Sequence, residues 1–133
     1  MPERKTLKRA RRARREGKAP TTQAGEFVRE EMEHIREGKH GARSTKQAIA
    51  IGLSKARRAG VRLKPPRRGQ ASARTRKSAS RAYRGGPRRK PSAKRSRATL
   101  RALKREPRRA ASRKALSKQA RSAARRRRRR ASA

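Results

Sequence analysis

A mostly disordered chain with one small all-α element, a helical hairpin at about residues 26–63 flanked by basic arms, is the fold class this sequence predicts. Three observations lead there. Lys and Arg number 47 against eight acids, a net charge of +39 in 133 residues, and self-repulsion on that scale favours extension. Only 29% of residues are hydrophobic, with one Phe, one Tyr and no Trp, too little to offset the conformational entropy of ordering the whole chain around its own core. The charge is also uneven: residues 1–25 carry +7, residues 26–60 only +3, and residues 61–133 carry +29 with Glu106 as their sole acid. Folding is expected in the near-neutral middle.

Residues 1–25 read as a basic arm, disordered or transiently helical. The start MPERKTLKRARRARR lacks the apolar stretch of a secretory signal. A mitochondrial presequence at residues 1–18 is the alternative, and Glu3 and Glu16 count against it.

The first helix of the hairpin is expected from about Gly25 to Glu37, with Val28, Met32 and Ile35 on one face and Phe27 beside them. Its other face, Glu26, Glu30, Glu31, Glu33 and Glu37 with Arg29 and Arg36, reads as solvated. Gly38 is placed as a C-cap glycine, so Gly38-Lys39-His40-Gly41 is the connector. The second helix has a capping box, Ser44 with Gln47, and ends at Gly60, with Val61 placed to return over Ala56 and Pro65-Pro66 preventing continuation. Ile49, Leu53 and Ala56 share one side, and Ala48, Gly52 and Ala59 form a strip of small residues that admits a close helix. A hairpin of this size is below what a lone core usually stabilises. Dimerisation through it, a second contact on the Ile51 side, or ordering on nucleic acid would each supply the deficit.

Residues 64–133 read as a disordered basic tail. Tyr83, Leu100, Leu103 and Leu116 are its only apolar residues larger than Ala apart from proline, and Pro65, Pro66, Pro87, Pro91 and Pro107 divide it. The Ala- and Arg-rich stretches at residues 96–105 and 110–130 have helix propensity opposed by like charge, which phosphate binding would relieve.

The expected partner of such a chain is a polyanion, DNA first and RNA as the alternative, held through phosphates without sequence readout. The contact residues expected are Lys46, Arg57, Arg58, Arg67, Arg68, Arg88, Arg89, Lys90, Lys94, Arg95, Arg108, Arg109, Arg125, Arg126, Arg127, Arg128, Arg129 and Arg130. Arg outnumbers Lys by 34 to 13, which favours bidentate phosphate contacts. Reading the hairpin as a helix-turn-helix, with Lys46, Gln47, Arg57 and Arg58 in a groove, lacks a supporting third helix and a tight turn. Stacking on single strands has one aromatic available in the tail, Tyr83.

Other chemistries find little support. The absence of Cys excludes disulfides, Cys-ligated zinc and thiol catalysis. No nucleophile, base and orienting group stand out as a set, so no enzyme, cofactor or small-molecule substrate is expected. Metal binding is not expected either: two histidines without cysteines are few, and His34 near Glu30 and Glu37 reads as a solvated helix face. Gly38-Lys39-His40-Gly41 lacks the spacing of a phosphate-binding loop and reads as a plain turn. Ser92 and Ser112 follow basic residues and would be phosphorylation sites of weak signal. No apolar run reaches the length of a membrane span, and a membrane-active cationic polypeptide would need a wider apolar face than the tail offers.

The run STKQAIAIGLSKARRAG at Ser44 to Gly60, preceded by EFVREEMEHIREGKHGARS, resembles a small bacterial domain family of unknown function, often attached to Lys/Ala/Pro-rich tails and often labelled DNA-binding. The resemblance spans about Glu26 to Leu63 and implies no established chemistry. In composition the tail resembles bacterial linker-histone-like proteins and, at Arg125 to Arg130, protamines. The resulting expectation is a cytoplasmic, nucleoid-associated protein that neutralises and compacts DNA. An RNA- or ribosome-associated basic protein is the rival. The division of labour expected is affinity in the tail and organisation in the hairpin, each removable without the other.

Overall fold

The computed structural model describes residues 2–86 and 92–132, and over them the chain is helical: α1 Arg4–Arg15, α2 Pro20–Arg36, α3 Thr45–Arg58, α4 Ala73–Gly85, α5 Ala93–Lys104 and α6 Arg113–Ser132, with a 3₁₀ turn at Arg109–Ala111. The α2–α3 pair is the centre. Helix α1 packs on α2, α4 packs on α3, and the 3₁₀ turn and α6 close over the loop end of the pair.

Local chemistry sets the ends of that pair. Pro20 opens α2 at a position where its missing N–H is not needed, so the helix starts inside the segment read as an arm. Ser44 Oγ accepts from Gln47 N–H at 3.2 Å, while the Gln47 side chain reaches back to Arg43 N–H at 2.6 Å, one residue beyond the Ser44 N–H of the reciprocal bond expected. At the far end Val61 N–H bonds to Ala56 O at 3.0 Å and Gly60 N–H to Arg57 O at 3.1 Å. That is the Schellman ending, and Gly60 supplies its φ of 102°.

The pair packs on its small residues. Ala48, Gly52 and Ala56 are buried on α3, whereas Ile49 and Leu53 are only partly covered. A Cβ on Gly52 would lie 2.7 Å from Val28 Cα, so only glycine lets the helices cross there. Phe27 and Ile35 are the large apolar side chains fully buried, each contributing roughly 1.5–3 kcal/mol. Phe27, Ala24, Ala56 and Val61 form one cluster with Ala10, flanked by Leu7, Leu53 and Leu63; Met32, Ile35, Ala42 and Ala48 form another with Ala110 and Ala111, flanked by Val28, Ile49 and Leu116.

The second cluster overturns the expectation of a mostly disordered chain. Leu103, Ala110, Ala111 and Leu116 are too few to make a core of their own, but Ala110, Ala111 and Leu116 cover one that the hairpin supplies, and Leu103 is buried at the end of α5. The connection from α5 to α6 is fastened to the hairpin loop by Gly41 N–H to Leu103 O at 2.8 Å, Ala42 N–H to Pro107 O at 3.1 Å and Thr45 Oγ1 to Ala110 O at 2.6 Å. Arg36 Nε adds a bond to Ala111 O at 3.0 Å. Ser72, Ser92 and Ser112 each accept a backbone N–H three residues on. Ser92 and Ser112, read as modification sites, are N-caps, and with Ser72 they open α4, α5 and α6. Low apolar content is overcome because long-range docking, with alanine and caps, replaces a second core.

The acidic face of α2 is likewise not solvated as a whole, because α1 lies against it. Glu30 and Glu31 are 1% and 0% exposed. Glu30 Oε1 accepts from Glu3 N–H at 2.6 Å and Thr6 Oγ1 at 3.2 Å, and Glu31 Oε1 accepts from Lys55. At the rim Arg9 approaches Glu26 and Lys5 approaches Glu33, both at 3.8 Å, contacts worth about 0–1 kcal/mol each. Glu3 is held down to about 2 by His34 first and then by Lys5 and Lys39.

Candidate nucleic-acid interface

The structure sorts the expected contact residues into groups. Lys46 is exposed on the first turn of α3 and Arg58 on its last; Arg67 and Arg68 are exposed in the loop before α4. Lys94 and Arg95 are exposed on α5, Arg108 and Arg109 beside the 3₁₀ turn, and Arg125, Arg127, Arg128, Arg129 and Arg130 on α6, where Arg126 is half-buried. Arg88, Arg89 and Lys90 lie outside the described residues.

Arg57 is the correction. It is 6% exposed, and its guanidinium donates to Leu63 O at 3.0 Å and Lys64 O at 3.1 Å. Burial pushes its pKa down from the ordinary arginine value. Its forked donors hold the chain leaving α3, a structural task that a solvated basic run would not have. Tyr83 is also occupied, with Arg62 4.8 Å above its ring, so the tail's aromatic stacks within the molecule.

The feature that brings expected residues together is an open groove between α3, the turn before α4, and α6, lined by Lys46, Gln70, Gln119, Arg126, Arg127 and Arg130. Ser112 caps α6, and Leu116 anchors its beginning against the hairpin cluster. Three and ten residues on, Gln119 and Arg126 follow Leu116 on the half-buried side, which turns them toward Lys46. Opposite, Gln70 Oε1 accepts from Arg67 N–H at 2.9 Å and Gln70 N–H bonds to Arg67 O at 3.0 Å. The result is four cations beside two neutral amides. Such a groove suits an anion with several oxygens: guanidinium and ammonium groups carry the charge, and the amides donate without further repulsion.

Gln70 and Gln119 escaped the sequence reading. For Gln119 the signal was its spacing from Leu116, legible only once α6 is a helix. For Gln70 no local signal existed.

Among the described residues no helix is long and apolar enough to cross a membrane. Comparison with known proteins returned no matching family model, no matching curated protein and no matching solved structure. The resemblance at about Glu26 to Leu63 therefore rests on the residues of that segment alone.

Proposed function

We propose that this protein binds duplex DNA through phosphates, without reading sequence, and neutralises and compacts it from a folded helical scaffold. The observation that carries the reading is the convergence of Lys46, Arg126, Arg127 and Arg130 on one open groove in a chain of net charge +39. Helix α6, 20 residues and so about 30 Å long, adds Arg125, Arg128 and Arg129 on its exposed faces. A helix of ordinary diameter fits a major groove about 12 Å wide. Tyr83 is engaged by Arg62, so single-strand stacking draws no support from it. The DNA-binding label attached to the family that Ser44 to Gly60 resembles points the same way.

The test is a salt titration of affinity for a mixed-sequence duplex. Each neutralised phosphate adds about 0.9 to the log–log slope, so glutamine at Lys46, Arg126, Arg127 and Arg130 together should lower the slope by about 3 to 4. The same change at Arg4, Arg11, Arg14 and Arg15 on α1, all exposed, is the control and should cost less. Equal losses would reduce the groove to generic charge. Material purified from cells whose nucleic acid survives DNase and vanishes with RNase would assign the protein to RNA instead.

A further inference from the structure

Seven of the eight acids, Glu3, Glu16, Glu26, Glu30, Glu31, Glu33 and Glu37, fall within the first 37 residues, and the fold turns two of them, Glu30 and Glu31, inward on the side of the histidines. Glu31, His34 and His40 each offer a ligand atom within 4.8 Å of the others. The three come from α2 and the connector that follows it. Glu31 is fully buried; its Oε1 accepts from Lys55, and its Oε2 has no hydrogen-bond partner among the described residues. His40 Nε2 stands 3.1 Å from that Oε2 without the alignment of a hydrogen bond.

The proton positions follow from the remaining partners. His40 Nδ1 is 2.9 Å from Gly41 O, a carbonyl that only accepts, so Nδ1 carries the hydrogen. In the neutral ring Nε2 then turns its lone pair toward a carboxylate oxygen, and two acceptors face each other. His34 Nε2 lies 3.0 Å from Glu3 Oε1 and donates to it, which leaves Nδ1 as the lone-pair nitrogen of His34. Each imidazole thus has one nitrogen held by an acceptor and the other free, the outer arrangement typical of metal-bound histidines.

We propose that Glu31, His34 and His40 bind one divalent transition-metal ion of the zinc class, with Glu3 and the Gly41 carbonyl positioning the two rings. Two nitrogen donors and one carboxylate favour such an ion over magnesium or calcium, which take oxygen ligands. Tetrahedral zinc with bonds of about 2.0–2.1 Å sets its ligands about 3.3 Å apart, close to the 3.1 Å between His40 Nε2 and Glu31 Oε2. The His34 side chain is 13% exposed and that of His40 6%, so the ion would sit largely out of water with a fourth position for solvent. It would also offset the carboxylates of Glu30 and Glu31, whose Oε2 atoms are both buried without a donor among the described residues. The competing arrangement is a buried ion pair between a doubly protonated His40 and Glu31. It would leave no reason for a metal to prefer this place.

The chain has two histidines, so their ring signals in nitrogen-15 NMR report on the site without ambiguity. Full-length protein without a histidine tag, stripped with a chelator and free of nucleic acid, is titrated with Zn²⁺. Both imidazoles should shift together and saturate at one equivalent, with the metal-bound signature on Nδ1 of His34 and Nε2 of His40, and Mg²⁺ should leave them unmoved. The melting temperature should rise with Zn²⁺ in the unaltered protein. Glu3→Gln should weaken binding by about tenfold to a hundredfold and change the His34 tautomer signature, which loss of packing alone would not do. His34→Gln with His40→Gln should abolish the one-equivalent binding. A shift of one ring alone, shifts with no saturation at one equivalent, or binding retained by the double variant would overturn the proposal. Because the rings are read in the unaltered chain, a variant that fails to fold does not decide the outcome.

Discussion

Gly52 matters through the atom it lacks. A Cβ there would lie 2.7 Å from Val28 Cα and 2.9 Å from both its Cγ2 and N, and backbone cannot step aside as a side-chain tip can. Gly52→Ala would gain about 1 kcal/mol of helix propensity and incur an overpacking cost of about 1–3 kcal/mol. The expected outcome is net destabilisation, read as a lowered urea midpoint; a raised midpoint would show that α2 and α3 part freely. Arg57 makes the contrasting case. Arg57→Ala would leave the carbonyls of Leu63 and Lys64 without the donors they now have, at about 1–3 kcal/mol if they stay buried. Its affinity for duplex DNA, measured under conditions where the variant is folded, should stay within about twofold, since one lost phosphate contact would instead reduce the salt slope by about 0.9. A slope reduced by that amount would return Arg57 to the interface.

Capped helices differ in how far their loss spreads. Ser44 caps α3, which packs on α2, α4, α6 and the 3₁₀ turn, so Ser44→Ala should cost the whole molecule about 1 kcal/mol. Ser92 caps α5, which packs on no other helix among the described residues and exposes Leu100 at 42%. Ser92→Ala should therefore speed amide exchange within residues 93–104 and leave the urea midpoint unchanged. A midpoint that falls as far as for Ser44→Ala would mean α5 is coupled to the core. The joint between α5 and α6 behaves otherwise. A Cβ on Gly41 would come within 1.9 Å of Glu106 O, so Gly41→Ala should release the 103–111 segment from the hairpin loop and raise exchange at Gly41 and Ala42, whose N–H groups bond to it.

At the scale of the molecule, the basic tail and the folded core share the same segments. Removing residues 64–133 takes away Ala110, Ala111 and Leu116, which cover Met32, Ile35 and Ala48. The shortened chain should lose helical signal or self-associate, and its loss of DNA binding would not isolate the tail's contribution; neutralising surface cations does. The expected structural independence of hairpin and tail thus gives way to one packed scaffold with several basic faces. Limited trypsin digestion tests that scaffold directly, since 47 Lys and Arg residues would let a disordered chain be reduced to small peptides. The folded protein should instead be cut first in exposed loops such as Arg62 to Arg68, with larger helical fragments persisting.

The existence of the α2–α3 pair and three of its four ends were legible because caps, glycine endings and helical periodicity act over a few positions, whereas the start of α2 at Pro20 was not. Ser44, Gly38 and Gly60 were placed correctly for that reason, and Val61 does bond back to Ala56. Burial of Glu30 and Glu31, occupation of Tyr83 and Arg57, and convergence of Lys46 with Arg126 and Arg130 were not legible, because each depends on residues distant in the chain. The tail is the least legible part: its apolar residues are too few for a core of their own and dock instead on one that the hairpin supplies. Counted over 133 residues, charge and low hydrophobicity specify a strongly basic surface. Whether that surface is carried on a flexible chain or on packed helices turns on a few alanines and leucines meeting a hairpin some 60 residues away, and burial of apolar area responds to that meeting in space and not to composition.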